Sequence, residues 1–267
     1  MKFLFFRHKT PRKESKRSLQ ALKTAAIAFS VWLTAFFALH VFVGSYEQRA
    51  AAAERKLPIY SVETTEKKIA ISFDCAWGVE YTDRILTELD RHNVKCTFFA
   101  VEFWVEKYPE YAKKIVERGH ELGTHSKTHP YMSKLTKGQV RDELTSSMSA
   151  IEETAGVKPT LFRPPYGDYN NTLIETAIEL GLYTIQWDVD SLDWKNLSAT
   201  ELSLRVINGV KEGSIILCHN NGLHTAEALP MIFSTLQNRG YEFVPIGDLI
   251  IKQNYTVDHT GRQHPAS

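Results

Sequence analysis

Acidic, imidazole and guanidinium side chains follow five short apolar runs in this chain of 267 residues. In chain order they are Asp74, His125 with His129, Arg163, Asp190 with Asp193, and His219. Such groups transfer protons, bind metal ions and stabilise developing charge when they converge on one pocket. Their types therefore predict a catalytic site, provided that the fold brings the ends of these runs together.

The segment "HSKTH" is the most specific local signal. Its two imidazoles, His125 and His129, are four positions apart, and paired imidazoles commonly share a metal ion. Two surface histidines in a loop are the ordinary alternative. His219, taken alone after the run "IIL", is better interpreted as a buried core histidine.

The elements that must position these groups alternate along the chain. From Lys67 onward, short apolar runs such as "KIAISF" and "SIILCHN" alternate with amphipathic stretches of helical period. About seven such units predict a parallel sheet with crossover helices, of an open or a barrel kind. An irregular α/β barrel suits the polar residues that follow nearly every strand, since the carboxyl ends of its strands form one rim.

The first part of the chain has a different character. Residues 1–23 carry eight basic side chains and one acid, and residues 24–44 carry no charged side chain. This pattern predicts a basic cytoplasmic tail and an uncleaved transmembrane signal-anchor, with a cleaved signal peptide as the alternative and a buried helix disfavoured. We expect a stalk at 45–66, one extracytoplasmic domain at 67–251, and a loose C-terminal tail at 252–267.

Charge and cysteine content exclude some classes of function. Beyond residue 43 the chain has 24 basic and 30 acidic residues, a net charge of −6. Such a domain is a poor binder of nucleic acid. Its three cysteines are an odd number and provide no disulfide framework.

Five motifs in this order resemble the polysaccharide deacetylase family (the NodB-homology, carbohydrate esterase 4 type). The matching segments, from about Lys67 to Ile250, are "SFDCAWG", "HSKTH", "RPPYG", "DSLDW" and "LCH". The resemblance implies a distorted (β/α) barrel of about seven parallel strands that removes N-acetyl groups from amino-sugar polysaccharides. The membrane anchor and the altered first motif are similar to those of sporulation-associated members.

The resemblance also implies roles for the acid–base groups. Asp74 matches the general base, and Arg163 matches the residue that pairs with it. His219 matches the acid that protonates the departing amine. An aspartate of "DSLDW" orients this histidine, and we favour Asp190 over Asp193.

The remaining roles concern the metal and the sugar. His125 and His129 match the imidazole ligands of a divalent ion such as zinc, cobalt or manganese. The backbone N–H of Tyr166 matches a donor to the oxyanion. The residues expected to contact the sugar are Pro165, Trp194 and Leu217.

Cys75 departs from the family pattern, because it occupies the position of the third metal ligand. Three outcomes stay open. The thiolate binds the metal, as zinc accepts sulfur readily; or the two histidines and water hold a weaker ion; or the metal is absent and the domain binds glycan without turnover.

Two further hypotheses stand beside a peptidoglycan-type deacetylase. One is a membrane-tethered glycan-binding or scaffold protein of the spore or envelope. The other is a metal-free hydrolase that uses Asp74 and His219 alone, which we rank last because Cys75 is its sole candidate nucleophile.

Overall fold

The computed structural model describes residues 14–51 and 55–266, with side chains at 20–41 and 55–266. Two compact units, Met1–Arg55 and Lys56–Ser267, divide the chain. In the first, helix α1 (Glu14–Ala51) includes Gln20–Val41, 22 residues of mean hydropathy 1.8. This segment is long and apolar enough to cross a bilayer. Much of the predicted basic tail lies outside the described residues.

The second unit contains the remaining elements. Its helices are α2 (Thr82–Arg91), α3 (Glu102–Lys107), α4 (Pro109–Glu117), α5 (Lys137–Ala155), α6 (Asn171–Glu179), α7 (Ala199–Gly209), α8 (Thr225–Asn238) and α9 (Ile246–Leu249). Its strands are β1 (Ser61–Val62), β2 (Lys68–Cys75), β3 (Thr97–Ala100), β4 (Glu121–Thr124), β5 (Leu161–Phe162), β6 (Tyr183–Thr184), β7 (Val189–Asp190), β8 (Ile215–His219), β9 (Glu242–Phe243), β10 (Tyr255–Val257) and β11 (Arg262–Pro265).

The main sheet has seven parallel strands in the order β6-β5-β4-β3-β2-β8-β7, and β9 adds to the start of β2. The predicted barrel of about seven parallel strands is confirmed. The apolar run "YTIQWDVDS" alternates like a single strand, but it is divided between β6 and β7, at opposite edges of the sheet. Only residues 185–188 join these strands, so the edges lie within about 17 Å and the sheet must curl.

The segment before β2 closes part of this gap. Ile59 bridges to Ile185, and Ser61 bridges to Ser214. The three strands β1, β11 and β10 form a separate small sheet. Residues 56–66 of the predicted stalk and the described part of the predicted loose tail are therefore parts of the second compact unit. Strand β1 of the first segment pairs with β11 of the second across 201 positions of sequence.

The core has two layers, one on each face of β2. Ile69, Ile71, Phe73 and Cys75 belong to the cluster that packs under the helices, whereas Ala70 belongs to the cluster inside the barrel. This is the alternation of an extended strand. Asp74 lies on the same inner face as Ala70, near the end of β2. Its side chain is therefore at the mouth of the barrel.

Candidate active site

One pocket of about 570 Å³ lies at the carboxyl ends of the strands. Eight of the predicted site residues line it: Asp74, His125, His129, Tyr166, Asp190, Trp194, Leu217 and His219. Strands β2, β4, β7 and β8 deliver several of these side chains directly at or just after their last residues. The parallel sheet therefore gathers groups that are up to 145 positions apart in the sequence.

The carboxylate of Asp74 is held by a fully buried arginine. Nη1 of Arg163 donates to Oδ1 of Asp74 at 2.8 Å, and its Nη2 donates to the carbonyl of Gln186 at 3.2 Å. Burial is the largest single influence on the pKa of Asp74 and would raise it. The charge and hydrogen bond of Arg163, together with the charges of His125 and His219, outweigh burial and lower the pKa below its usual value. Asp74 is therefore an ionised carboxylate, able to accept a proton.

A second buried carboxylate holds His219. Oδ1 of Asp193 lies 2.7 Å from Nδ1 of His219, and Oδ2 accepts from the backbone N–H of His219 and from Oγ1 of Thr225. Burial opposes the imidazolium, but the hydrogen bond and charge of Asp193 raise the pKa of His219 overall. His219 is therefore well suited to donate a proton.

The preference for Asp190 as the partner of His219 was wrong. Oδ1 of Asp190 instead accepts from the backbone N–H of Leu192 at 2.8 Å. Leu192 has a left-handed conformation, with φ 55°, which turns the chain between the two aspartates. This turn places Asp193, and not Asp190, against the imidazole.

His125 and His129 lie beside Asp74 in the pocket, with ring centroids 4.9 Å apart. Nδ1 of His125 lies 2.7 Å from the carbonyl of Arg163, and its Nε2 lies 3.6 Å from Oδ2 of Asp74. Burial lowers the pKa of both imidazoles, that of His129 to about 4. Nδ1 of His129 is buried without a hydrogen-bond partner among the described residues. Neutral imidazoles are the form that binds a metal ion.

Cys75 does not reach this pocket. Its side chain is fully buried in the core under the helices, and Sγ lies 3.8 Å from the carbonyl of Phe73. Burial raises the pKa of the Cys75 thiol well above its usual value. No group of three metal-binding side chains was found among the described residues. The donors present fit an ion bound through two imidazoles and water, and they do not fit a thiolate site.

The loop between the two histidines is strained and firmly held. Ser126 and His129 are left-handed, with φ 76° and 59°. Glu143 of α5 accepts the N–H groups of Lys127 and Thr128 at 2.9 and 2.8 Å and the Thr128 hydroxyl at 2.6 Å. Sequence reasoning missed Glu143, since nothing within α5 marks this acid as different from its neighbours.

The "RPPYG" motif forms a tight turn at the pocket. Tyr166 is left-handed, with φ 58°, and its backbone N–H has no acceptor within the described part of the chain. Gly167 lies so close to Trp187 and Gln186 that a Cβ there would be within 3.3 Å of both. Pro165 is buried and is not among the pocket-lining residues, so the structure does not support its predicted contact with the sugar.

Two tryptophans that sequence reasoning left without a role also line the pocket. Trp77 is 55% exposed and lies edge-on to His129, with ring centroids 5.0 Å apart. Trp187 lies in the segment between β6 and β7. Trp77 lies within the altered first motif, two residues after the end of β2, so its position near a strand end was the signal that could have revealed it.

Comparisons with known proteins agree with this architecture. The polysaccharide deacetylase family model matches residues 61–185. A peptidoglycan-N-acetylglucosamine deacetylase of Bacillus cereus is 33% identical over 70% of this chain and 70% of its own length. The deacetylase PgdA of Listeria monocytogenes is 36% identical over 77% of this chain but only 43% of its own length. The chain thus spans less than half of that relative.

A solved structure of a carbohydrate esterase 4 pseudoenzyme from Bacillus anthracis is also similar. It is 35% identical, with a TM-score of 0.71 over 78% of this chain and 72% of the other. A mutant of that pseudoenzyme, described as having restored enzymatic activity, matches with the same TM-score. Both active and inactive proteins therefore share this fold. The identity, the coverage and the shared barrel show that this chain belongs to the polysaccharide deacetylase family.

Proposed function

We propose that this protein is an N-deacetylase of peptidoglycan-type amino-sugar polysaccharide. The observation that carries the proposal is that two ion pairs, each with one fully buried partner, meet at one pocket. Arg163 keeps Asp74 ionised, and Asp193 favours the protonated form of His219. A base and an acid with opposite pKa shifts are what amide hydrolysis requires.

The steps follow from the positions of these groups. Asp74 takes a proton from the water that attacks the acetyl carbonyl. The N–H of Tyr166 donates to the oxyanion that forms on the carbonyl oxygen. His219 then protonates the sugar nitrogen as the C–N bond breaks, which releases acetate and a free amine. Trp194 and Leu217 line the pocket and would contact the sugar and the acetyl methyl group.

His125 and His129 are the residues that would hold a divalent ion in this proposal. Such an ion, zinc, cobalt or manganese, would polarise the acetyl carbonyl. The chain supplies two neutral imidazoles for it, and the carbonyl of Arg163 orients His125.

The apolar helix supports a location at the membrane. We propose that residues 24–44 form a single-pass anchor with the basic N-terminus in the cytoplasm, and that the catalytic domain lies outside. An association with spore formation stays a prediction.

A second function is favoured by one specific observation. Cys75 faces the core, so the third side-chain ligand is missing from the pocket. The protein would then bind glycan at the membrane without turnover, as a scaffold of the envelope or spore.

Acetate release by the full-length protein in detergent separates these two functions. The substrates are peptidoglycan and N-acetylated oligosaccharides, tested with zinc, cobalt and manganese. We expect release that is lost in Asp74→Asn and His219→Ala. Glycan binding without acetate release under any of the three metals would exclude the deacetylase and support the scaffold.

A further inference from the structure

Exposed aromatic side chains of the folded domain concentrate at the pocket. Outside α1, five aromatic residues are among the exposed large apolar side chains of the described residues. Four of them line the pocket or contact a residue that does: Trp77, Tyr131, Tyr166 and Trp194, which are 50–57% exposed. Aromatic rings left in water around a pocket mark a binding surface.

These rings form a continuous series on one side. Trp77 contacts His129, His129 contacts Tyr166 with centroids 4.6 Å apart, and Tyr166 stacks on Tyr131 at 4.4 Å. The interplanar angle of the tyrosine pair is 18°, so the two rings are nearly parallel. The series extends the pocket by at least one aromatic platform beyond the reacting groups.

An ammonium group lies over the outer ring on each side of the pocket. Nζ of Lys134 is 4.7 Å from the centroid of Tyr131, and Nζ of Lys195 is 4.9 Å from that of Trp194. Neither lysine forms an ion pair with a carboxylate within the described part of the chain. Each is therefore a positive charge held beside an exposed ring and available to an anion.

The two lysine–aromatic pairs belong to different loops. Lys134 follows β4 and Lys195 follows β7, and these strands are separated by β3, β2 and β8 in the sheet. The pairs thus approach the pocket from different sides. Two separated positive sites suit a chain that carries a carboxylate on more than one of its sugars, and a neutral glycan leaves both ammonium groups unused.

We propose that Lys134 and Lys195 determine specificity for an acidic amino-sugar chain. Sugar rings pack on Tyr131 and Trp194, and the ammonium groups bind carboxylates borne by the sugars, as in N-acetylmuramic acid. This rests on the proposed function, because it takes the pocket to be a glycan site. The preferred substrate is then a glycan with carboxylates, not a chitin-like polymer.

Titration calorimetry on the full-length protein in detergent tests this with three probes. They are a tetrasaccharide of alternating N-acetylglucosamine and N-acetylmuramic acid, the same tetrasaccharide with its carboxylates converted to methylamides, and chitotetraose. We expect the acidic probe to bind about tenfold tighter than the other two. Lys134→Met and Lys195→Met should each weaken binding of the acidic probe about fivefold, with no change for the neutral probes.

A matched control is available in the same domain. Lys107 lies over Tyr108, 5.2 Å from its ring centroid, in a pair that does not line the pocket. Lys107→Met should leave binding of all three probes unchanged. Equal affinity of the wild-type protein for the acidic and methylamide probes overturns the proposed role of the two lysines but leaves the glycan site in place. Failure of all three probes to bind overturns the glycan site, and the proposed function with it.

Discussion

The pocket has two sides, named here for their proposed roles: a proton-transfer side with Asp74 and His219, and a metal-binding side with His125 and His129. They are built to different degrees. On the first side, Asp74 and His219 each have a buried, oppositely charged partner at 2.7–2.8 Å. On the second side, two neutral imidazoles line the pocket, but the thiol at the third ligand position faces the core. One step along β2 separates the two situations, since Asp74 and its neighbour Cys75 point to opposite faces. The proposed acid–base pair is therefore complete, whereas the proposed metal site has two side-chain ligands in the pocket.

The largest effect is expected on the proton-transfer side, from Asp74→Asn. This change leaves the charge of Arg163 fully buried without its counterion. Removing one partner of a buried ion pair costs about 3–5 kcal/mol, so the free energy of unfolding should fall by that amount in urea denaturation. The test does not depend on turnover.

The control for that change is an exposed ion pair of the same length. Asp83 and Lys114 are also 2.8 Å apart, but both are partly solvated. Asp83→Asn should lower the free energy of unfolding by less than about 1 kcal/mol. Similar losses for Asp74→Asn and Asp83→Asn would contradict the importance of burial at Arg163.

The metal-binding side can be tested by Cys75→Asp. A carboxylate in the apolar core should cost about 3 kcal/mol in the absence of metal, unless the end of β2 turns it toward the pocket. In that turned position it would be a third ligand, so zinc should stabilise the variant more than it stabilises the wild-type protein. Urea denaturation with and without zinc measures both effects.

Cys75→Ser provides the matched control, because a hydroxyl adds polarity without a metal-binding charge. We expect a loss of about 1 kcal/mol and no gain from zinc beyond that of the wild-type protein. If zinc stabilised Cys75→Asp no more than it stabilised Cys75→Ser, the missing carboxylate would not be what limits metal binding.

The two aspartates of "DSLDW" sharpen the comparison within the proton-transfer side. Asp193→Asn removes the charge that raises the pKa of His219, so the alkaline limb of the pH–rate profile should move to lower pH. We also expect acetate release to fall about 100-fold. Asp190→Asn should move the alkaline limb much less, because the carboxylate of Asp190 contacts Leu192 and its charge contributes less to the pKa of His219 than Asp193 does. If the alkaline limb moved in Asp190→Asn but not in Asp193→Asn, the assignment of Asp193 as the partner of His219 would be reversed.

Much of the site was predictable because its residues stand at strand ends. The direction of Cys75 was left open by the sequence analysis, because the resemblance places a metal ligand at this position. In the structure β2 stays extended through Cys75, so this residue faces away from the pocket that Asp74 faces. The choice of Asp193 was not predictable, since it depends on the left-handed turn at Leu192. The division of "YTIQWDVDS" between two edges depends on pairing with β5 and β8, which lie far away in the sequence.

The smallest effect concerns how the imidazoles are held. Glu143→Gln keeps the shape of the side chain but removes the charge that accepts three hydrogen bonds from the loop after His125. Hydrogen bonds to a charged acceptor are stronger than neutral ones, so the strained loop should lose about 1 kcal/mol of local stability. Amide hydrogen exchange at residues 126–129 should then be about fivefold faster.

The exposed acid Glu152 on the same helix is the control for this last change. Glu152→Gln should leave exchange at residues 126–129 as it is in the wild-type protein. Unchanged exchange in Glu143→Gln would mean that the left-handed conformations of Ser126 and His129 do not depend on the charge of Glu143, and that packing and the hydrogen bond from the His129 N–H to Oγ of Ser126 suffice. The loop that carries His129 would then be rigid without the carboxylate of Glu143. The two sides of the pocket would differ only in the direction of Cys75, which leaves the metal-binding side without a third side-chain ligand.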